Sequence, residues 1–461
     1  MNGYGGEANG REAARIQAEL RRRERRNLLR AWLRPGIGIK RWMLVAFVGE
    51  LMLALSVALL LRATLVETPA GDPARGILET LTLQFLPTEW RWVVLMVGGL
   101  LLFTLGAWRL VRALVEPYRV REEPLAELLY QRRLRARGPH VVAIGGGTGL
   151  STLLRGLKEL TSNITAVVTV ADDGGSSGKL RTELGLPPMG DIRNCLAALA
   201  DAEPAMHRLL QYRFPATVSD EPGFAGHAFG NLLIAALTGV TGDFEEGVRQ
   251  SNRVLAVRGN VVPVAGQAIT LHAELADGSE LEGQSVIARA SGIRRVWITP
   301  EAVRPSEEAI AAIAAADVVV IGPGSVYTSI LPPLLVPRIR DALAASGAMR
   351  LFVCNVATQV GETEGYALSD HLAALRAHGL LAVIDAVLVN SNLRARQPAN
   401  YPAAPVRVDL PLSSAERPLI FARDVVDHDN AHHHEPRKLA MSILELHDEG
   451  VVARRRTAAK T

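Results

Sequence analysis

The stretch HVVAIGGGTGLS at residues 140–151 changes character at its middle. Its first half is a short apolar run rich in β-branched residues, as in a strand buried on both faces. Its second half sets Gly145, Gly146, Gly147 and Gly149 around Thr148 and runs into a segment, Leu153–Leu160, with leucines at helical spacing. Strand, glycine turn and helix in that order open a βαβ unit. Glycines at the carboxyl end of such a strand let backbone N–H groups converge, and the helix start adds positive potential, which suits a phosphate. A tight turn without a ligand would use the same residues. The spacing is not a dinucleotide fingerprint: the third glycine position counted from Gly145 is Leu150, and from Gly147 it is Thr152.

Outward from this stretch the same grammar recurs. Short apolar runs at Ile164–Val170, Asp317–Ile321, Arg350–Val353 and Ile384–Val389 are each followed by polar or glycine-rich residues, and helical patterns such as Ile192–Ala200 and Glu307–Ala316 lie between them. The expected fold is α/β: three layers, with a mainly parallel sheet covered by helices on both faces. Ala268–Gln284 departs from it, because TLHAEL alternates and Asp277-Gly278 supplies a turn, so a small β-hairpin insertion is expected there. No internal repeat is evident.

In such sheets ligands sit beyond the carboxyl ends of the strands. The loop after Val170 reads ADDGGSSGKLR, 171–181. Asp172 and Asp173 could hold Mg²⁺ through oxygen, Ser176 and Ser177 offer donors, and Lys179 and Arg181 offer charge to a phosphate. It is not a Walker motif, since Leu180 follows Gly178-Lys179. Gly190-Asp191-Ile192-Arg193-Asn194 opens a helix with Asp191 as the expected cap, and Arg193 and Asn194 have no evident structural purpose. His227 and Asn231 lie one turn apart ahead of another apolar helix. Gly322-Pro323-Gly324-Ser325 forms a potential anion nest before Tyr327, Thr328 and Ser329, and Asn355 and Thr358–Thr363 end the next strand. Several such loops with an aspartate pair favour a nucleotide or sugar-phosphate site. His432-His433-His434 near Asp427, His428 and Asp429 reads as a surface cluster or a transition-metal site. The chain has 2 cysteines, Cys195 and Cys354, too few for a disulfide framework or a cysteine zinc site, and no Gly-x-Ser-x-Gly elbow.

The first third is different. Of 461 residues, 1–41 hold 11 Lys and Arg against 4 acids, whereas 139–461 hold 29 against 34. The slightly acidic larger part is a poor nucleic-acid binder, so no nucleic-acid partner is expected. Trp42–Leu61 and Trp92–Trp108 are long and apolar enough for two membrane spans, and arginines flank the pair. The expected organisation is a basic cytoplasmic segment at 1–41, a transmembrane hairpin at 42–108, a basic juxtamembrane linker at 109–138, the main domain at 139–450 and a basic tail at 451–461. Both termini would lie in the cytoplasm of a bacterium, with the hairpin in inner-membrane lipid. Its lack of transport-like ionisable residues makes it an anchor.

The segments GGGTGLSTLLRGLK, VTVADDGGSSGKLR, PPMGDIRNCLAALA, GHAFGNLLIAAL and IGPGSVYTSILPPLLV together closely resemble the bacterial gluconeogenesis factor family (YvcK type). That family is related to 2-phospho-L-lactate transferase (CofD), which serves deazaflavin-coenzyme synthesis. The resemblance spans roughly 139–450 and does not include the hairpin. It implies a Rossmann-like fold, a cytoplasmic domain, binding of a uridine-diphosphate sugar and a role in cell shape during growth on gluconeogenic carbon sources. Asp172 and Asp173 match aspartates that the transferase branch uses near its metal and diphosphate. Gly174 to Arg181 then depart from that branch, which continues with an acidic and aromatic stretch. Tyr401 matches a family tyrosine near the nucleotide-sugar pocket. The family's Arg-His-Asp stands here as His433-His434-Glu435, so the arginine is missing.

Two functions follow as expectations. One is a membrane-held regulator that senses a nucleotide sugar and acts on envelope-synthesis proteins, with self-association compatible. The other is a Mg²⁺-dependent transferase using a nucleoside-diphosphate donor, with Asp172 and Asp173 on the metal. A nicotinamide dehydrogenase is disfavoured by the broken fingerprint.

Overall fold

The computed structural model describes residues 133–201, 203–215, 225–395, 403–412 and 418–458, with isolated positions before them. The two expected spans, Tyr401 and the basic arms up to residue 132 lie outside these stretches. Among the described residues no helix is long and apolar enough to cross a membrane. The chain divides into two units, Met1–Arg133 and Leu134–Thr461; the second is described below.

It begins with β1 (Val141–Gly145), α1 (Gly147–Leu160) and β2 (Ile164–Val168). Five helices follow: α2 (Gly175–Leu184), α3 (Gly190–Leu199), α4 (Glu203–Gln211), α5 (Phe229–Thr241) and α6 (Phe244–Val254). Then come β3 (Asn260–Pro263), β4 (Thr270–Leu275), β5 (Glu280–Glu282), the short α7 (Gln284–Ile287), β6 (Ile293–Thr299) and α8 (Glu307–Ala315). β7 (Val318–Ile321) leads through a π-helical turn, Val326–Ile330, into α9 (Leu331–Leu335) and α10 (Ile339–Ala345). The chain closes with β8 (Met349–Val353), α11 (Leu368–Ala377), β9 (Ala386–Asn390), β10 (Leu419–Arg423) and α12 (Pro436–Ala458).

Seven strands form one sheet in the order β10-β9-β8-β7-β1-β2-β3. Every pair in it is parallel, with Val141 opposite both Ile164 and Val318. Strand order reverses between β1 and β7, where a parallel sheet opens a crevice at its carboxyl edge. All residues of β1, β7 and β9 are buried, so helices cover both faces, as the continuous apolar runs require. In α1 the leucines at 150, 153, 154 and 157 are fully buried, each worth about 1.5–3 kcal/mol against exposure. A Cβ on Gly156 would fall 1.9 Å from the Pro436 carbonyl oxygen, so α12 lies directly on α1 at that glycine. Lys158 crosses to α3 and donates to the carbonyls of Ala198 (2.7 Å) and Ala200 (3.2 Å).

The expected hairpin is present, with β4 antiparallel to β5 around Asp277-Gly278, but it is part of a larger insertion. β6 completes a three-stranded sheet in the order β5-β4-β6. The strand run expected to end at Val170 stops at Val168, and α12 continues to Ala458, past the expected domain end at 450.

Candidate functional site

At the switch point the two glycine loops touch. A Cβ on Gly149 would sit 2.5 Å from the carbonyl oxygen of Pro323, and one on Gly147 would lie 3.5 Å from Ser329 Oγ. Neither loop could approach the other with a larger residue at 149. Gly146 precedes α1 and supplies no side-chain cap, which leaves first-turn N–H groups for another acceptor. The β7 loop is braced from β8: Asn355 Nδ2 donates to the Gly324 carbonyl at 3.0 Å, and its Oδ1 accepts the Gly324 N–H at 3.2 Å. Gln359 Nε2 donates to Ser325 Oγ at 2.7 Å, while Gln359 Oε1 has no partner.

These loops enclose a cavity of about 610 Å³. Gly146, Gly147, Thr148 and Gly149 form one wall, and Pro323, Gly324, Ser325, Thr328 and Ser329 a second. Asn355 to Gln359 follow β8, and Gln284 and Ala288 close the cavity from the insertion. Asn430 and His432 to His434 complete it. The histidines are therefore a cavity wall rather than a surface cluster. Among the described residues no group of three or more His, Cys, Asp or Glu is placed to hold a metal ion. Burial lowers the His434 pKa to about 4, so this imidazole is neutral at physiological pH.

The expected anion nest at Gly322–Ser325 is partly filled by the chain itself. Glu362, buried below the π-helical turn, accepts from the N–H groups of Tyr327 (2.6 Å) and Thr328 (3.0 Å) and from Thr328 Oγ1 (2.9 Å). Desolvation raises its pKa to about 7 against the opposing pull of these hydrogen bonds. Gly324 and Ser325 still face the cavity.

Asp191 was expected to cap α3, but it lies inside the first turn and reaches the glycine loop instead. Its carboxylate accepts the Gly147 N–H, and a Cβ on Gly146 would lie 2.4 Å from its Oδ2. Burial first, and then the Asp172 carboxylate nearby, raise its pKa to about 6. Asp172 accepts from the Gly174 N–H at 2.9 Å, and its Oδ2 faces the same small space beside Gly190 as Ser177 Oγ. Asp173 points elsewhere. Its Oδ1 accepts the Ser285 N–H at 2.8 Å and so fastens the start of α7. The neighbouring aspartates thus do not share a partner, and the oxygen donors that suit a hard cation are Asp172, Asp191 and Ser177.

The other residues picked out by sequence form a buried network between helices. Ser176 Oγ accepts from the Ala228 N–H (3.1 Å) and from Asn231 Nδ2 (3.1 Å), and it lies 3.4 Å from His227 Nδ1. Arg193 Nη1 donates to Asn231 Oδ1 at 3.1 Å, and Asn194 Oδ1 accepts from Gln211 Nε2 at 2.6 Å. Ser176, Ser177, Arg193 and Asn231 are all buried, and none of them lines the cavity. This gives Arg193 and Asn194 the structural purpose that their sequence context hides. Lys179 and Arg181 line a separate open groove with Asp173. Thr148 and Ser325 therefore share one cavity, and Asp173 lines the other groove and not this cavity. Sequence reading missed Gln284, and it singled out the 358–363 segment without naming Gln359 or Glu362 as its site residues. Gln284 opens the short α7, Gln359 and Glu362 lie in the loop after β8, and none of the three belongs to a local phosphate or metal signature.

Comparison with known proteins places this geometry in a family. A family model for 2-phospho-L-lactate transferase CofD matches residues 141–425. The protein named gluconeogenesis factor in Halalkalibacterium halodurans is 46% identical over 312 residues, 66% of this chain and 96% of its own. The gluconeogenesis factor of Bacillus subtilis is 51% identical over 254 residues, 55% of this chain and 79% of its own. A Nostoc sp. protein whose name assigns it provisionally to the same group is 44% identical over 442 residues, 94% of this chain and 96% of its own. A crystal structure of a Bacillus halodurans protein, 43% identical, superposes with a TM-score of 0.60 over 67% of this chain and 99% of that one.

Proposed function

The chain belongs to the CofD family and, within it, to the gluconeogenesis factors, and on that premise we propose that it is a membrane-anchored regulator that binds a uridine-diphosphate sugar. The observation that carries the reading is the single cavity where the Gly146–Gly149 loop, at a helix start whose N-cap residue has no side chain, meets Gly324 and Ser325. The first-turn N–H groups beyond that of Gly147, which Asp191 takes, and the small residues receive the diphosphate, while the amides of Asn355 and Gln359 and the neutral His434 suit ring hydroxyls or base edges. The volume of about 610 Å³ suits a ligand of that size. In the cell the domain reports nucleotide-sugar supply to envelope-synthesis proteins and so supports cell shape during growth on gluconeogenic carbon. The apolar runs at 42–61 and 92–108 hold it at the inner face of the cytoplasmic membrane, where tethering raises its effective concentration near those partners. The match to the Nostoc relative takes in most of this segment.

The test is a thermal-shift screen of the purified chain with uridine-diphosphate sugars, with and without Mg²⁺, followed by product analysis. A shift with intact ligand recovered supports the regulator. No shift with any of them removes it.

The transferase reading keeps one specific support, the raised pKa of Asp191 beside Asp172. Mg²⁺ fits Asp172 and Asp191 better than Asp172 and Asp173, and it would stabilise the charge developing on a nucleoside monophosphate that leaves as the donor's phospho-organic group passes to an acceptor. Metal-dependent release of a nucleotide product, lost in Asp172→Asn, would favour this reading.

A further inference from the structure

Glu362 lies one side chain away from the cavity at the switch point. It is 2% exposed, and its donors belong to the wall that Ser325 and Thr328 form. Oε1 accepts the N–H groups of Tyr327 and Thr328, and Oε2 accepts the Thr328 hydroxyl. Ser325 adds a weaker hydrogen bond to the same carboxylate, while its Oγ accepts from Gln359 Nε2. An ionised Glu362 therefore commits the Thr328 hydroxyl proton, so that this hydroxyl can only accept from a ligand. Among the described residues Glu362 forms no ion pair. Burial raises its pKa to about 7, and the hydrogen bonds only partly oppose that rise.

The ionisable groups around it differ in kind. The Tyr327 phenol, paired with Tyr366 Oη at 3.1 Å, is pushed up by burial. His371 and His378, whose rings pack against Tyr366 and Tyr327, are held by burial below the usual imidazole value. The cavity-lining His434 is neutral for the same reason. Asp370 on α11 acts on Tyr327, and Arg289 meets this loop through its backbone at Gly361. Two further groups border the cavity: the exposed His433 in its wall, and Asp191 behind the glycine loop.

An anion brought into the cavity disfavours the ionised form of a carboxyl held in low dielectric behind its wall. Protonation removes that repulsion. The neutral acid can then donate to Thr328 Oγ1, which frees the hydroxyl proton for a ligand oxygen.

We propose that Glu362 is a positioning residue for the ligand's diphosphate: it takes up a proton as the diphosphate enters and so turns the Thr328 hydroxyl from acceptor to donor. The proton comes from solvent and stays on the Glu362 carboxyl while the ligand is bound. This coupling rests on the reading of the cavity as a nucleotide-sugar site and adds its pH dependence.

The test is calorimetric titration of the full-length protein with UDP-glucose, whose diphosphate keeps its charge across neutral pH, in the absence of Mg²⁺. Wild-type affinity should fall about fivefold from about pH 6.5 to about pH 8.5. Near neutral pH the heat should depend on the ionisation enthalpy of the buffer, as proton uptake requires. Glu362→Gln copies the protonated acid in shape and charge, so it should lose most of that fall and of the buffer dependence. His433→Gln and Asp191→Asn, whatever their affinities, should each keep the fall. Equal wild-type affinity at both pH values overturns the proposal, and so does a fall that Glu362→Gln keeps. Loss of the fall in His433→Gln or Asp191→Asn overturns it too, and this arm decides even where Glu362→Gln does not fold. Absence of binding at either pH removes the cavity reading together with this proposal, whereas binding that is flat with pH removes this proposal alone.

Discussion

Glu362 reaches the β7 loop from the far side of β8 and takes up N–H groups at the start of the turn that follows it. A carboxylate buried in that way titrates near 7 in the folded protein and near 4.5 in the unfolded chain. Between those values the folded state holds the extra proton, so the contribution of this group to stability falls as pH rises through the window and is level above it. The difference amounts to about 3 kcal/mol. Thermal midpoints measured from about pH 5 to about pH 7.5 should decline less in Glu362→Gln than in the wild type, and parallel profiles would refute the assignment. Gly149 carries the complementary prediction. Gly149→Ala drives a methyl into the Pro323 carbonyl, so it should cost about 1–3 kcal/mol and abolish ligand binding in the cavity. Gly239→Ala in α5, where a Cβ meets nothing within 4 Å, should be neutral or stabilising by about 0.5–1 kcal/mol. Denaturant midpoints of the two variants check both.

Among the elements, legibility followed burial. β1, β2, β7, β8 and β9 were each readable because a strand buried on both faces is a continuous apolar run. β3 and β10 were not. Asn260–Pro263 is too short to show a pattern, and Leu419–Arg423 is an edge strand of intermediate burial. β6, IRRVWIT, hides because exposed arginines interrupt it and its partner is the insertion, not the main sheet. The glycine loops were legible as a pair, and their convergence follows from the strand order. Ser176, Arg193 and Asn231 read as ligand groups because a buried polar network and a ligand site use the same side chains. Only the fold distinguishes the two. Asp173 shows the same ambiguity, since its role in fastening α7 depends on a contact 112 residues away in sequence. Asp173→Ala should therefore raise amide exchange at Gly283–Ile287 while leaving α1 protected; unchanged exchange there would contradict the fastening role.

For the whole molecule, the composition of the first third and the described domain make separate statements. The 11 basic residues against 4 acidic ones in 1–41, with the two apolar runs after them, are what the proposed membrane anchor rests on. Membranes from cells expressing the full chain should retain the protein through high salt and alkaline washing and release it in detergent. Release by salt alone would reduce the segment to an electrostatic contact. The shorter relatives, matched nearly end to end by two thirds of this chain, show that the domain occurs without that third.

The claim on which the account rests is that the Gly146–Gly149 loop and the Gly324-Ser325 loop close on one diphosphate. A crystal structure of the protein with UDP-glucose tests it most directly. Diphosphate oxygens are expected within about 3.2 Å of the first-turn N–H groups of α1 and of Gly324 or Ser325. A diphosphate seated against Lys179 and Arg181, or a cavity left empty at saturating ligand, would contradict it.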